Sequence, residues 1–131
     1  MKHLKKYNDS RYLSKDGKVF SCSFNNMTEL LFIPDTVEKL YCHYNNLEEL
    51  PRLPKGLKEL YCYDNNLKEL PELPSGLERL YCYNNNLKEL PRLPKGLGVL
   101  WCWNNNLPYE YLKGYWEWFY KENPDLGEAN K

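Results

Sequence analysis

Leu57-Lys58-Glu59-Leu60-Tyr61-Cys62-Tyr63-Asp64-Asn65-Asn66-Leu67 is the stretch whose reading decides the fold. At a constant interval of 20 residues the same pattern returns as Val37-Glu-Lys-Leu-Tyr-Cys-His-Tyr-Asn-Asn-Leu47, Leu77-Glu-Arg-Leu-Tyr-Cys-Tyr-Asn-Asn-Asn-Leu87 and Leu97-Gly-Val-Leu-Trp-Cys-Trp-Asn-Asn-Asn-Leu107. A degenerate first copy runs from Gly17 to Met27. Each copy follows L-x-x-L-x-L-x-x-N-x-L with cysteine in the sixth slot, so the five cysteines, Cys22, Cys42, Cys62, Cys82 and Cys102, are a feature of the repeat. Units of this kind cannot bury their apolar face alone and do so only by stacking.

Alternation sets the faces. In a short strand Leu60 and Cys62 point to one side while Tyr61 and Tyr63 point to the other. Parallel stacking then buries the Leu/Cys side against Leu57, Leu67, Leu70, Leu73 and Leu77. Asn25, Asn45, Asn65, Asn85 and Asn105 form an inner ladder whose amides satisfy backbone groups where the chain leaves each strand. The return segments at 50–56, 70–76 and 90–96, such as Leu70-Pro-Glu-Leu-Pro-Ser-Gly76, carry two prolines each. Proline excludes an α-helix there and favours an extended, polyproline-like path. Gly56, Gly76 and Gly96 are expected to supply a turn of unusual φ before the next strand.

Charge columns test the register independently. Lys18, Glu38, Lys58 and Glu78 alternate in sign, as do Lys39, Glu59 and Arg79, and Arg52, Glu72 and Arg92. In-register strands place such residues about 4.8 Å apart, where like charges repel.

These motifs resemble short leucine-rich repeats, and the L-P-x-L-P returns are similar to those of enterobacterial type III effector proteins. Arrays with Tyr-Cys-Tyr-Asn-Asn strands are also similar to other bacterial and large-virus proteins. The resemblance covers residues 17–107. It implies a leucine-rich-repeat solenoid with a short parallel β-sheet on the concave face and an extended convex side. It also implies a protein-binding role, as a bacterial or viral effector or counter-defence factor. The sequence has neither the helical leader nor the ligase domain of some such effectors, so ubiquitin-ligase activity is not carried over.

The ends are expected to be capped. Residues 1–16 read as a polar, turn-rich N-terminal cap. Residues 108–131 read as a helical C-terminal cap, with Tyr109, Leu112, Trp116, Phe119 and Tyr120 at helical spacing after Pro108. Eighteen Lys and Arg balance 18 Asp and Glu. That balance gives no electrostatic support for binding nucleic acid or a membrane surface. The basic start, Met1-Lys2-His3-Leu4-Lys5-Lys6, precedes no apolar stretch of signal length, and no run of about 18 apolar residues occurs. The expected location is cytoplasmic, in a host cell if the chain is an effector.

Catalytic chemistry finds no constellation in the sequence. No G-x-S-x-G or phosphate-loop pattern occurs, and only His3 and His43 are present. Cys42 and His43 are adjacent and so face opposite ways, and one straight cysteine column does not build a tetrahedral metal site. An odd number of equally spaced cysteines argues for reduced core residues over disulfides. The expectation is a chain that is not an enzyme and needs no cofactor or metal.

The candidate site is the outward strand face: Tyr41, Tyr61, Tyr81 and Trp101 in one column and His43, Tyr63, Tyr83 and Trp103 in the next, with Tyr44 and Phe24 beside them. Tyrosine and tryptophan are enriched in interface hot spots. Five strands span about 19 Å and five strand residues about 17 Å, a strip of roughly 320 Å². A standard interface takes about 800 Å² per partner, so a protein partner would also touch the loops at 64–66 and 84–86 or the C-terminal cap. Two other readings stand beside the protein partner. One is a carbohydrate or nucleobase binder using the rings as stacking platforms. The other is a structural or designed scaffold without a ligand.

Overall fold

The alternation read in Leu60-Tyr61-Cys62 is realised as a solenoid of very short strands. The computed structural model describes residues 11–108 together with Glu117 and Lys121. Strands β1 (Val19–Ser21), β2 (Lys39–Tyr41), β3 (Glu59–Tyr61), β4 (Arg79–Tyr81) and β5 (Val99–Trp101) form one parallel sheet in chain order. Register is a shift of one repeat: Leu40 lies opposite Leu60, Leu60 opposite Leu80 and Leu80 opposite Leu100. The alternating charges become neighbours, with Lys39 Nζ 3.7 Å from Glu59 Oε2 and Glu59 paired in register with Arg79.

Each strand has three residues, fewer than the five expected, yet the parallel ladder runs past it. The Cys62 amide donates to Tyr81 O at 2.9 Å, Asp64 N to Tyr83 O at 3.1 Å, and Asn66 N back to Leu47 O at 2.9 Å. Bonding between rungs therefore carries the chain through the turn that follows each strand.

The inner side is a continuous apolar core. Leu57, Leu60, Cys62, Leu67, Leu77, Leu80 and Cys82 are fully buried, and the return leucines Leu70 and Leu73 are buried with them. All five cysteines are free thiols. Burial pushes the thiols of Cys42, Cys62 and Cys82 well above their ordinary value, that of Cys22 to about 12 and that of Cys102 to about 11. A protonated, buried thiol behaves as a small hydrophobe.

The asparagine ladder holds the turns. Asn65 Oδ1 accepts the Leu47 amide at 3.0 Å, while its Nδ2 donates to Cys42 O at 3.1 Å and Cys62 O at 3.2 Å. Asn45 and Asn85 repeat the arrangement one rung to either side. These three are the buried polar residues among those described.

The glycine expectation fails. Gly56, Gly76 and Gly96 have no positive φ, and a Cβ added at each meets nothing within 4 Å. Each sits in a turn closed by a bond three residues apart, such as Leu77 N to Pro74 O at 3.1 Å. A turn of the common type needs no left-handed residue, and Thr36 fills the same position in the first return. Left-handed geometry appears instead after the second outward residue of each rung, at Phe24, Tyr44, Asp64, Asn84 and Asn104, with φ between 52 and 62 for all positive-φ residues other than glycine.

At the first edge the chain folds back on β1. Leu13 forms an antiparallel bridge with Phe20, Ser21 N donates to Tyr12 O at 2.8 Å, and Tyr12 and Leu13 pack against the core. Residues 1–10 of the expected N-terminal cap lie outside the described residues. So does the expected C-terminal helix, except for Glu117 and Lys121, which are helical and exposed.

Asn65→Ala leaves the buried Leu47 amide without an acceptor and weakens two carbonyl contacts. Urea unfolding is expected to show a loss of about 2–4 kcal/mol. Asn66→Ala, on an exposed side chain with no hydrogen bond among the described residues, should stay within about 0.5 kcal/mol of the parent. Gly76→Ala should be neutral or stabilising, by about 0.4–1 kcal/mol, because the alanine meets no strain and restricts the unfolded chain.

Candidate binding face

Outward positions of the rungs build four rows. The first is the charged row Lys39, Glu59 and Arg79, next to Val99. The second holds Tyr41, Tyr61, Tyr81 and Trp101, and the third His43, Tyr63, Tyr83 and Trp103. The left-handed positions Phe24, Tyr44, Asp64, Asn84 and Asn104 make the fourth. All ten residues singled out from sequence, Phe24 included, belong to these rows.

Within the rows the rings stack face to face. Tyr41–Tyr61 and Tyr61–Tyr81 have centroid separations of 4.4 and 4.5 Å at 15° and 10°. His43–Tyr63, Tyr63–Tyr83 and Tyr83–Trp103 follow at 4.4, 4.5 and 4.7 Å. The second row ends differently, with Trp101 edge-on to Tyr81 at 89°. Rung spacing is about 4.8 Å, close to ring-stacking distance, so an in-register column of aromatics stacks without distortion.

Stacking hides the ring faces and leaves the ring edges at the surface. Tyr41, His43, Tyr61, Tyr63, Tyr81 and Tyr83 are accordingly half-buried rather than solvent-facing, while exposure concentrates at the ends. Trp101 and Trp103 are 44% and 54% exposed at one end, and Tyr44 and Phe24 are 46% and 70% exposed at the other.

The electrostatics follow burial. Tyr61 donates to Glu59 Oε1 at 2.8 Å, and burial first, then this carboxylate, pushes its phenol up. Burial also raises Tyr63, and it lifts Tyr83 to about 12. His43, stacked on Tyr63 and 3.0 Å from Ser23 Oγ through Nδ1, is pulled down by burial against the opposing pull of Asp64. Among the described residues no group of three His, Cys, Asp or Glu side chains is arranged to hold a metal ion, and no helix is long and apolar enough to cross a membrane.

The fourth row was only partly legible in the sequence. Asn and Asp tolerate left-handed backbone, whereas a bulky side chain there costs about 1–2 kcal/mol. Phe24 and Tyr44 occupy that geometry and stack on each other at 4.6 Å and 15°. The signal lay in the repeat alignment: positions 64, 84 and 104 read Asp, Asn and Asn, and 24 and 44 read Phe and Tyr.

With this geometry in hand, two solved structures are informative. YopM from Yersinia enterocolitica WA-314 matches with a TM-score of 0.67 and 40% identity, over 69% of this chain and 20% of that one. A Shigella effector leucine-rich-repeat domain matches with a TM-score of 0.70 and 32% identity, over 81% of this chain and 48% of that one. The fold is a leucine-rich-repeat solenoid. It resembles the repeat domains of bacterial type III effectors, and it spans about a fifth and about half of the two chains it matches. No family model and no curated protein sequence matches the chain.

The solenoid should lose stability in alkali. An unfolded tyrosine ionises near about 10, whereas Tyr83 in the fold holds its proton to about 12. Between those values the unfolded chain binds fewer protons, so stability present below pH 10 declines as pH rises toward 12. Ultraviolet titration should show a late phenol class that ionises together with unfolding. A single titration near pH 10, with the fold intact, would contradict the stacked rows.

Proposed function

We propose that the chain is a non-catalytic protein-binding module that engages its partner through the aromatic strand face, and that it serves as a bacterial or viral effector. The observation that carries the reading is the stacked block Tyr41, Tyr61, Tyr81 beside His43, Tyr63, Tyr83, closed by Trp101 and Trp103. Rings immobilised on neighbours lose little further freedom on binding, and Tyr and Trp supply large contact area with a polar handle. The charged row beside them, Lys39, Glu59 and Arg79, adds alternating sign along one border. The resemblance to effector repeat domains supports an interaction role, and with it a location in the cytoplasm of a host cell. The two end caps, residues 1–16 and 108–131, belong to the same proposal as covers for the first and last rungs.

Stacking weighs against the carbohydrate or nucleobase reading. A sugar or base laid on a platform needs free ring faces, and along both aromatic rows those faces are taken by the next ring. Edges and hydroxyls suit the side chains and backbone of a protein surface.

Affinity capture from host-cell extract, with the parent and Tyr61→Ala/Tyr81→Ala compared, tests the reading. The variant should remain folded and lose about thirtyfold or more in affinity for whatever the parent retains. Alanine at Arg52, Glu72 and Arg92, all exposed on the return side, should leave binding unchanged. Equal losses from both sets, or none from the tyrosines, would move the site off this face.

A further inference from the structure

A shallow groove of about 470 Å³ runs alongside the fourth row, between it and the exposed asparagines that follow two positions later. Phe24, Tyr44, Asp64 and Asn84 of the fourth row line it, together with Asn26, Asn46 and Asn66, each two positions further along its rung. Its chemistry is one-sided. Asp64 is the one carboxylate among the described residues that line it, and the rest are aromatic or carboxamide.

The carboxylate is placed for a ligand. Asn104 Nδ2 donates to Asn84 Oδ1 at 2.8 Å, and Asn84 Nδ2 donates to Asp64 Oδ1 at 3.0 Å. This chain of amides ends on Asp64, whose Oδ2 has no hydrogen-bond partner among the described residues. The side chains of Asn46 and Asn66 are exposed and likewise make no hydrogen bond there. Free acceptors thus line the groove at Asp64, Asn46 and Asn66, together with an aromatic pair whose backbone geometry costs stability. Strain kept in an exposed position points to a surface selected for contact.

We propose that this groove seats an arginine side chain of the protein partner, with its guanidinium against the Phe24–Tyr44 stack and its N–H groups donating to Asp64 Oδ2 and the Asn46 and Asn66 carbonyl oxygens. Guanidinium matches each surface: it is planar, it lies on aromatic rings, and it offers five donors in a fixed fork. An anion would face Asp64 with no compensating cation in the lining. A lysine ammonium offers fewer donors and no plane. The proposal rests on the reading that this side of the solenoid binds protein, and it names the polar anchor beside the tyrosine rows.

The test uses the full chain and small probes in amide NMR titrations: N-acetyl-arginine amide and its neutral isostere, N-acetyl-citrulline amide. Arginine amide should shift the backbone amides of Phe24, Tyr44 and Asp64 and the side-chain amides of Asn46 and Asn66. Its affinity should be in the millimolar range, at least about tenfold tighter than that of citrulline amide. Asp64→Asn places in this rung what Asn84 and Asn104 supply in the next two, so the fold is kept. It should erase the difference between the two probes. Equal binding of arginine and citrulline amides, binding of neither, or shifts confined to Tyr61 and Tyr81 would overturn the groove assignment. No partner is needed for this measurement. A failed titration beside a Tyr61→Ala/Tyr81→Ala variant that loses capture sinks the groove alone. A successful titration beside an unaffected tyrosine variant sinks the strand-face reading instead.

Discussion

Where each rung after the first leaves its strand, one asparagine side chain answers a backbone amide and two carbonyls. Asn65 takes the amide of Leu47 from the rung before and gives its own protons to the carbonyls of Cys42 and Cys62. A carboxamide is the right group because it has one acceptor and two donors on a short stem. A carboxylate could not donate and a hydroxyl could not bridge both rungs. Because the bonds cross between repeats, the turn of one rung is completed by the next. Neighbours are therefore required for local structure as well as for core burial.

That constraint makes the rest of the solenoid follow. Fixing the turn fixes the register, and the register puts leucine over leucine inside and ring over ring outside. The same register keeps the thiols buried in the core, and their backbone carbonyls accept from the asparagine ladder. On the outer surface the rung spacing matches aromatic stacking, so the tyrosine rows stiffen the sheet and present their edges at the same time. Binding surface and stabilising contact are here the same atoms. Double substitutions of single rows are therefore more informative than wholesale replacement of the face.

The end rungs break the uniformity, and that is where the surface acquires character. Toward the last rung Trp101 turns edge-on to Tyr81 and leaves the regular stack. Toward the first, Phe24 and Tyr44 occupy a backbone conformation that suits asparagine, next to Asp64, the acid that ends a line of hydrogen-bonded amides. A surface of identical rungs has no means of fixing a partner's position along the axis. These departures break that degeneracy, for the same reason that a single polar residue can set register in other repetitive assemblies.

The sequence by itself determined the period, the parallel order of the strands, which side of each rung is buried and which residues share the outer face. Each of these is a consequence of spacing: a two-residue alternation inside a 20-residue repeat leaves no freedom about which side chains align. The asparagine ladder was legible for the same reason, since its position follows the last buried cysteine by a constant three residues. Glycine misled because a residue type states what a backbone is allowed to do, whereas the turn at Gly76 uses a conformation open to any residue. Ring orientation, the left-handed backbone of the partly legible fourth row and the groove beside Asp64 came only from the tertiary structure. They depend on how a side chain meets its counterpart 20 residues away, where stacking, edge contact or a free carboxylate oxygen is settled by distances of a few tenths of an ångström that no one-dimensional pattern encodes.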